Sequence, residues 1–158
     1  MQTDNLLLLD AKTVAALYDT DLFAWANTNA ELLRQGKYDQ LDVGHLIVEI
    51  EDMGKSEFRA LESHLQNVLM HLLKWHFQAI KRTASWQQSI RNGRRAVAKL
   101  IRDNPSFLPK IQAVLNDEYA AARDDAVFET GLPTNSFPDA CPYSVDQVLA
   151  EDWLPQQG

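Results

Sequence analysis

The chain has one cysteine, Cys141, among 158 residues. That excludes an intrachain disulfide and fits a reducing compartment. Long hydrophobic runs are missing as well. The run Leu6 to Leu9 is four residues long and follows an acidic residue, which is neither a signal peptide nor a membrane span. Together these absences predict a cytoplasmic protein with no membrane attachment. Nowhere do β-branched residues alternate over a strand's length, which argues against a sheet. No repeat or low-complexity tract is present. The chain has no glycine-rich phosphate loop and no G-x-S-x-G, and nothing in it calls for a cofactor.

A further absence is local. No Asp or Glu occurs from Ser63 through Arg102, while Lys74, Lys81, Arg82, Arg91, Arg94, Arg95, Lys99 and Arg102 all lie there. The net charge of -7 therefore conceals a +8 middle, because the other 7 basic and all 22 acidic residues sum to -15. Any function has to account for that segregation. What remains is an ordinary globular balance, 46% hydrophobic and 23% charged. A domain of this length buries roughly 70% of the surface its unfolded chain exposes, so it needs no disulfide or metal staple.

The periodicity predicts an all-α fold with four main helices plus a short C-terminal helix. They form a bundle with one long helix, in a single domain over residues 1–158. Residues 1–12 read as a loose lead-in. A first helix begins near Asp19 or Thr20 and carries Phe23, Ala26, Ala30 and Leu33 as one apolar stripe. Gly36 stops it. The second helix runs from about 42 to 82, roughly 60 Å at 1.5 Å per residue. Val43, Ile47, Ile50, Gly54, Leu61, Leu65, Val68, Leu69, Leu72, His76 and Ala79 keep one phase along it. The phase continues through Gly54, which predicts close approach of another helix there; a kink at Gly54 is the alternative. Ser85 and Gln88 form a capping-box pattern for the third helix, whose apolar face includes Trp86, Ile90, Gly93 and Val97. A fourth helix spans about Phe107 to Thr130, with Pro109 in its first turn. Residues 131–143 read as an ordered loop. Ser144 and Gln147 open a short last helix.

Three histidines on the long helix invite a metal reading. His64 and His71 are one heptad apart on a flank, and His76 lies within the stripe. They do not converge, and zinc needs three or four ligands in tetrahedral reach. Boundary and core positions with satisfied hydrogen bonds describe them better.

Assembled along the chain, YDTDLFAWANTNAELLRQG, EIEDMGKSEFRALESHLQNVLMHLLKWHFQ, SWQQSIRNGR and ARDDAVFETGL with FPDACPY behind it form a recognisable set. On these stretches, from Tyr18 to Pro155, the chain resembles the bacterial domain-of-unknown-function family number twenty-nine. That resemblance implies a compact all-helical bacterial protein. It implies no activity, cofactor or catalytic residue.

The chemistry the residues themselves offer is sparse. His45, Glu49 and Asp52 share one helix face at i, i+4, i+7, a donor set that suits a divalent metal. A metal-dependent phosphohydrolase would need further carboxylates from another helix. The adjacent pairs Asp117/Glu118 and Asp124/Asp125 point in different directions and fit that role poorly, so a solvated face accounts for the trio. Cys141 lacks the cationic setting that activates a thiol, and Asp139 close by works against it. The basic stripe Arg91, Arg95, Lys99 and Arg102 is the strongest lead. Nucleic acid would use such a stripe with Trp75 or Trp86 stacking, but both tryptophans fit packing positions and the remaining charge is acidic. Intramolecular pairing with carboxylates of the first and fourth helices is the first expectation, and an acidic protein partner the second. These residues point to a non-catalytic helical interaction module that self-associates or takes an acidic partner. Its alternatives are the phosphohydrolase and then the nucleic-acid binder.

Overall fold

The computed structural model describes residues 10–156, so the lead-in expected over 1–12 lies mostly outside the described residues. The fold is all-α, with no strand among the described residues. Among the described residues six helices follow one another: α1 (Ala11–Thr20), α2 (Leu22–Arg34), α3 (Val43–Phe77), α4 (Ala84–Asp103), α5 (Ile111–Thr130) and α6 (Val145–Leu149). Two compact units divide the chain, Met1–Lys55 and Ser56–Gly158.

The first unit holds α1, α2 and the start of α3. α1 is a helix beyond those expected, and it begins inside the supposed lead-in. Asp10 caps it, its carboxylate accepting from the Thr13 N–H at 2.8 Å. Asp21 ends α1 and also caps α2 by accepting from the Ala24 N–H at 2.9 Å. One carboxylate at a single-residue joint satisfies an orphan donor of α2. Gly36 follows α2 at φ 70°, the left-handed conformation that a glycine stop supplies. The core of this unit is Val14, Trp25 and Leu32, with Leu17, Tyr18, Leu41 and Leu46 against it. This corrects the stripe expected for the first helix. Trp25, Asn29 and Leu32 face inward, whereas Phe23 is 80% exposed. The missed signal was Trp25, whose indole N–H donates to Asp42 at 2.9 Å. A large amphipathic ring with a buried partner outweighs a smooth apolar phase.

α3 is one helical element through Gly54, with no loop between Met53 and Glu57. It stops at Phe77, short of the expected end near 82, and a 3₁₀ turn at Ala79–Lys81 follows. The expected close approach at Gly54 is not observed, because a Cβ added there would meet nothing within 4 Å. The tight glycine is Gly93 on α4, where an added Cβ would lie 2.5 Å from Val68 Cγ2.

The second unit packs the later part of α3 against α4, α5 and α6. Its core includes Leu61, Leu65, Val68, Leu69, Leu72, Ile90, Val97, Ile111, Leu115, Tyr119, Ala122 and Val148. Thr83, not Ser85, caps α4, accepting from the Trp86 N–H at 3.2 Å. Pro105–Lys110 forms a 3₁₀ segment before α5, so Pro109 precedes the α-helix instead of lying in its first turn. Gly131 closes α5 at φ 70°. Ser144 and Gln147 form the expected capping box of α6.

Candidate interaction surfaces

The basic stripe is built by α4, an amphipathic helix whose buried residues are Ile90, Gly93, Arg94 and Val97. At 100° per residue, Arg91, Arg95, Lys99 and Arg102 fall on the opposite side, and all four are exposed. Lys99 meets Asp103 at 3.0 Å, Arg102 meets Asp103 at 3.4 Å and Arg95 reaches Glu151 at 4.0 Å. Arg91 makes no ion pair with a described residue; it lines a polar pocket of about 380 Å³ with Gln87, Gln88, Glu151 and Asp152. The carboxylates these cations meet are thus on the last turn of α4 and on the C-terminal tail. They are not those expected of the first and fourth helices. Exposed pairs of this kind are worth only about 0–1 kcal/mol each, so the stripe stays largely available.

Two other basic residues of the same window are buried and structural. Arg94 is 4% exposed. Its guanidinium donates to the carbonyls of Gln147 (2.9 Å), Val148 (2.8 Å), Glu151 (3.3 Å) and Trp153 (2.7 Å). Five fixed donors in a planar fork suit a cluster of carbonyls, and here they hold α6 and the tail to α4. The signal was in the projection: Arg94 falls about 60° from Arg91, toward the apolar side. Lys74 is buried on α3, pairs with Glu129 on α5, and lies 4.5 Å above the Trp86 ring. Arg82 covers Trp75 at 4.9 Å. Both tryptophans therefore already carry a cation, which removes them as bare platforms for a base.

His45, Glu49 and Asp52 lie on the first unit's part of α3. The His45 ring stacks on Tyr18 at 3.9 Å, and its Nδ1 lies 2.6 Å from Asp42 Oδ2. Glu49 accepts from the Tyr18 hydroxyl at 2.6 Å. Burial works to raise the Asp42 carboxyl, but hydrogen bonds from Trp25 and His45 outweigh it and hold the group below its usual range. Two of the three, His45 and Glu49, are thus engaged in joining α1 to α3 through Tyr18, while Asp52 is exposed. Among the described residues no three His, Cys, Asp or Glu side chains come together around a metal position.

The other singled-out groups are engaged or inert. His64 is exposed. His71 Nδ1 lies 2.9 Å from the Asn67 carbonyl, and burial pushes its pKa down. His76 Nδ1 lies 3.1 Å from the Tyr143 hydroxyl, which itself donates to the Leu72 carbonyl at 3.2 Å. Burial pushes the Cys141 thiol up, the opposite of what a nucleophile needs.

Most of the large apolar side chains exposed among the described residues lie on the first unit, where the sequence predicted core. Val43, Ile47 and Ile50 belong to the α3 stripe, yet all are more than half exposed, as is Met53. In the second unit the same phase supplies Leu61, Leu65, Val68 and Leu72, and these are fully buried. Between α2 and α3 of the first unit runs an apolar groove of about 370 Å³. Ala26, Ala30 and Leu33 form one wall and Leu46, Ile50 and Met53 the other. The only ionisable residue in its lining is Glu49, which Tyr18 already engages.

Comparison with known proteins gives one result. Residues 17–154 match the family described as "Domain of unknown function DUF29". No curated protein and no solved structure matches the chain.

Proposed function

The chain belongs to the DUF29 family, whose description states no function, and we propose that it acts as a non-catalytic helical interaction module of the bacterial cytoplasm. The reading is carried by the uncovered apolar face of the first unit. Contiguous exposed apolar surface on a small protein marks a site where something docks. Here it has the form of a groove between two helices with apolar walls, the shape that takes an apolar ridge from a partner. The engaged donors of His45 and Glu49 and the raised Cys141 thiol leave no comparable support for catalysis. A single cysteine supports the cytoplasmic assignment.

Affinity capture from the native host tests this reading, with the wild-type chain and a Met53→Glu variant as paired baits. A protein held by the first and lost with the second supports docking at the groove. Identical captured sets would overturn it.

A second reading rests on a different observation. Arg91, Arg95, Lys99 and Arg102 are exposed and only weakly paired, which supports an acidic protein partner on α4. Binding there weakens steeply as salt rises, and Arg91→Glu with Arg95→Glu abolishes it without lowering the melting temperature.

A further inference from the structure

From the apolar face of the first unit we infer that the occupant of the α2–α3 groove is a second copy of this chain, paired about a two-fold axis. The inference rests on reading that face as a docking surface, and adds what docks there.

Area is the first argument. Leu22, Phe23 and Leu33 of α2 join Val43, Ile47, Ile50 and Met53 of α3, none less than 46% exposed. Seven such side chains leave on the order of 600–700 Å² of apolar surface. Pairing two such faces buries roughly 1,200–1,400 Å², within the range of a stable standard-size interface.

Shape is the second. The groove has small residues, Ala26 and Ala30, along its α2 wall. Beside it, on the outward side of α3, Val43 and Ile47 form a ridge in one helical phase with Ile50, which also lines the groove. Nothing stands within 4 Å of a Cβ at Gly54, so the ridge has no bulky neighbour at that point. A face with a ridge next to a groove is self-complementary: under a two-fold, each copy's ridge enters the other's groove. That is the isologous arrangement most dimers use.

Charge is the third. The centre of the face holds one carboxylate, Glu49, which the Tyr18 hydroxyl engages at 2.6 Å, in keeping with the depletion of charge at homodimer interfaces. Flanking charges are neutralised within the chain, Arg34 by Glu31 at 3.2 Å and Lys55 by Glu51 at 3.4 Å. Two copies of this face therefore oppose each other with little like charge at the centre. The unit as a whole is acidic, with nine carboxylates against four cations over residues 10–55. Salt therefore screens a residual repulsion and strengthens the pairing, the opposite of what the α4 stripe would show.

Sedimentation equilibrium of the full chain, at 50 mM and 500 mM salt, tests the proposal. The wild-type chain is expected at twice its monomer mass, with equal or tighter association at high salt. Ile50→Glu and Met53→Glu, both at exposed positions, are expected to weaken association at least tenfold with unchanged helical circular dichroism. A wild-type monomer at 100 µM would overturn the proposal, as would an Ile50→Glu chain that remains dimeric. The dye 8-anilinonaphthalene-1-sulfonate separates the two levels of failure. A monomer that binds the dye through Ile50 leaves the groove a docking surface for some other partner. A monomer that does not bind it removes the docking surface as well.

Discussion

The packing of α4 on α3 makes a prediction whose sign can be worked out in advance. Gly93→Ala adds a Cβ 2.5 Å from Val68 Cγ2, with the His64 carbonyl at 3.7 Å. Ordinary contact begins near 3.5 Å, so one of the two helices or the valine has to move. Val68 is fully buried, and a β-branched side chain in a helix has one strongly preferred rotamer, so it cannot simply swing aside. Overpacking of this kind costs about 1–3 kcal/mol. Alanine returns about 1 kcal/mol of helix propensity, leaving a net loss of about 0–2 kcal/mol. At Gly54 the added Cβ meets nothing, so Gly54→Ala should gain up to about 1 kcal/mol. Thermal denaturation followed by circular dichroism, at low micromolar chain, reads both. The melting temperatures should differ by several degrees in opposite directions, given about 2–4 °C per kcal/mol at this size. Val68→Ala in the Gly93→Ala background should recover part of the loss, giving a coupling of about 1 kcal/mol. If Gly93→Ala stabilises as much as Gly54→Ala, the helices are not held at this distance and the reasoning fails.

Four further outcomes follow from the same coordinates. Glu129→Gln should cost about 3 kcal/mol, because it strands the buried Lys74 ammonium, whereas Lys74→Met leaves a Glu129 that water can reach and should cost less; equal losses in thermal melts would refute the asymmetry. Arg94→Lys keeps the charge but loses the fork that holds four carbonyls, and should cost about 2–4 kcal/mol, with hydrogen exchange speeding up first in α6 and the tail. Burial pushes the Tyr119 hydroxyl up to about 12; the unfolded chain ionises first, so stability is full below about pH 10 and falls between about pH 10 and 12, which ultraviolet absorbance and melting together can check. Millimolar magnesium or zinc should leave the melting temperature unchanged, since His45 and Glu49 are committed to Asp42 and Tyr18; a rise lost in Glu49→Gln would restore the metal reading.

The fold was legible wherever a strong local signal met a burial partner close in sequence or in phase. Ser144 with Gln147 and glycines 36 and 131 determine local hydrogen bonding and backbone sign, so they could be read directly. α1 was not legible in the same way. Its one fully buried residue is Val14, too few apolar contacts for a period to emerge, and its N-cap Asp10 sits in a stretch that reads as a loose lead-in. The α4 start was misplaced by two residues because Thr83 and Ser85 are both competent caps. In the structure the Thr83 hydroxyl takes the Trp86 N–H and so makes the cap.

The surfaces were harder, for a reason that lies in what periodicity measures. A constant apolar phase on α3 says that one side of the helix avoids water; it does not say which molecule provides the cover. Over Leu61 to Leu72 the cover is this chain's own core. Over Val43 to Met53 the same phase is bare, so a pattern that predicts core inside one unit marks a surface in the other. Charge has the same ambiguity. Arg94 and Arg91 are three residues apart in one basic run, yet the first is sealed under four carbonyls and the second is open to solvent. What separates them is a rotation of about 60° around α4, at the margin between its two faces. At such margins the guanidinium can bury its stem and still find acceptors, and that is where a basic residue changes from a partner's contact to the chain's own clamp. The stripe that begins about 60° further round, at Arg91, Arg95, Lys99 and Arg102, meets no carbonyl among the described residues. Its charges therefore remain a surface property, and its salt dependence, opposite in sign to that of the apolar face, distinguishes which of the two a partner uses.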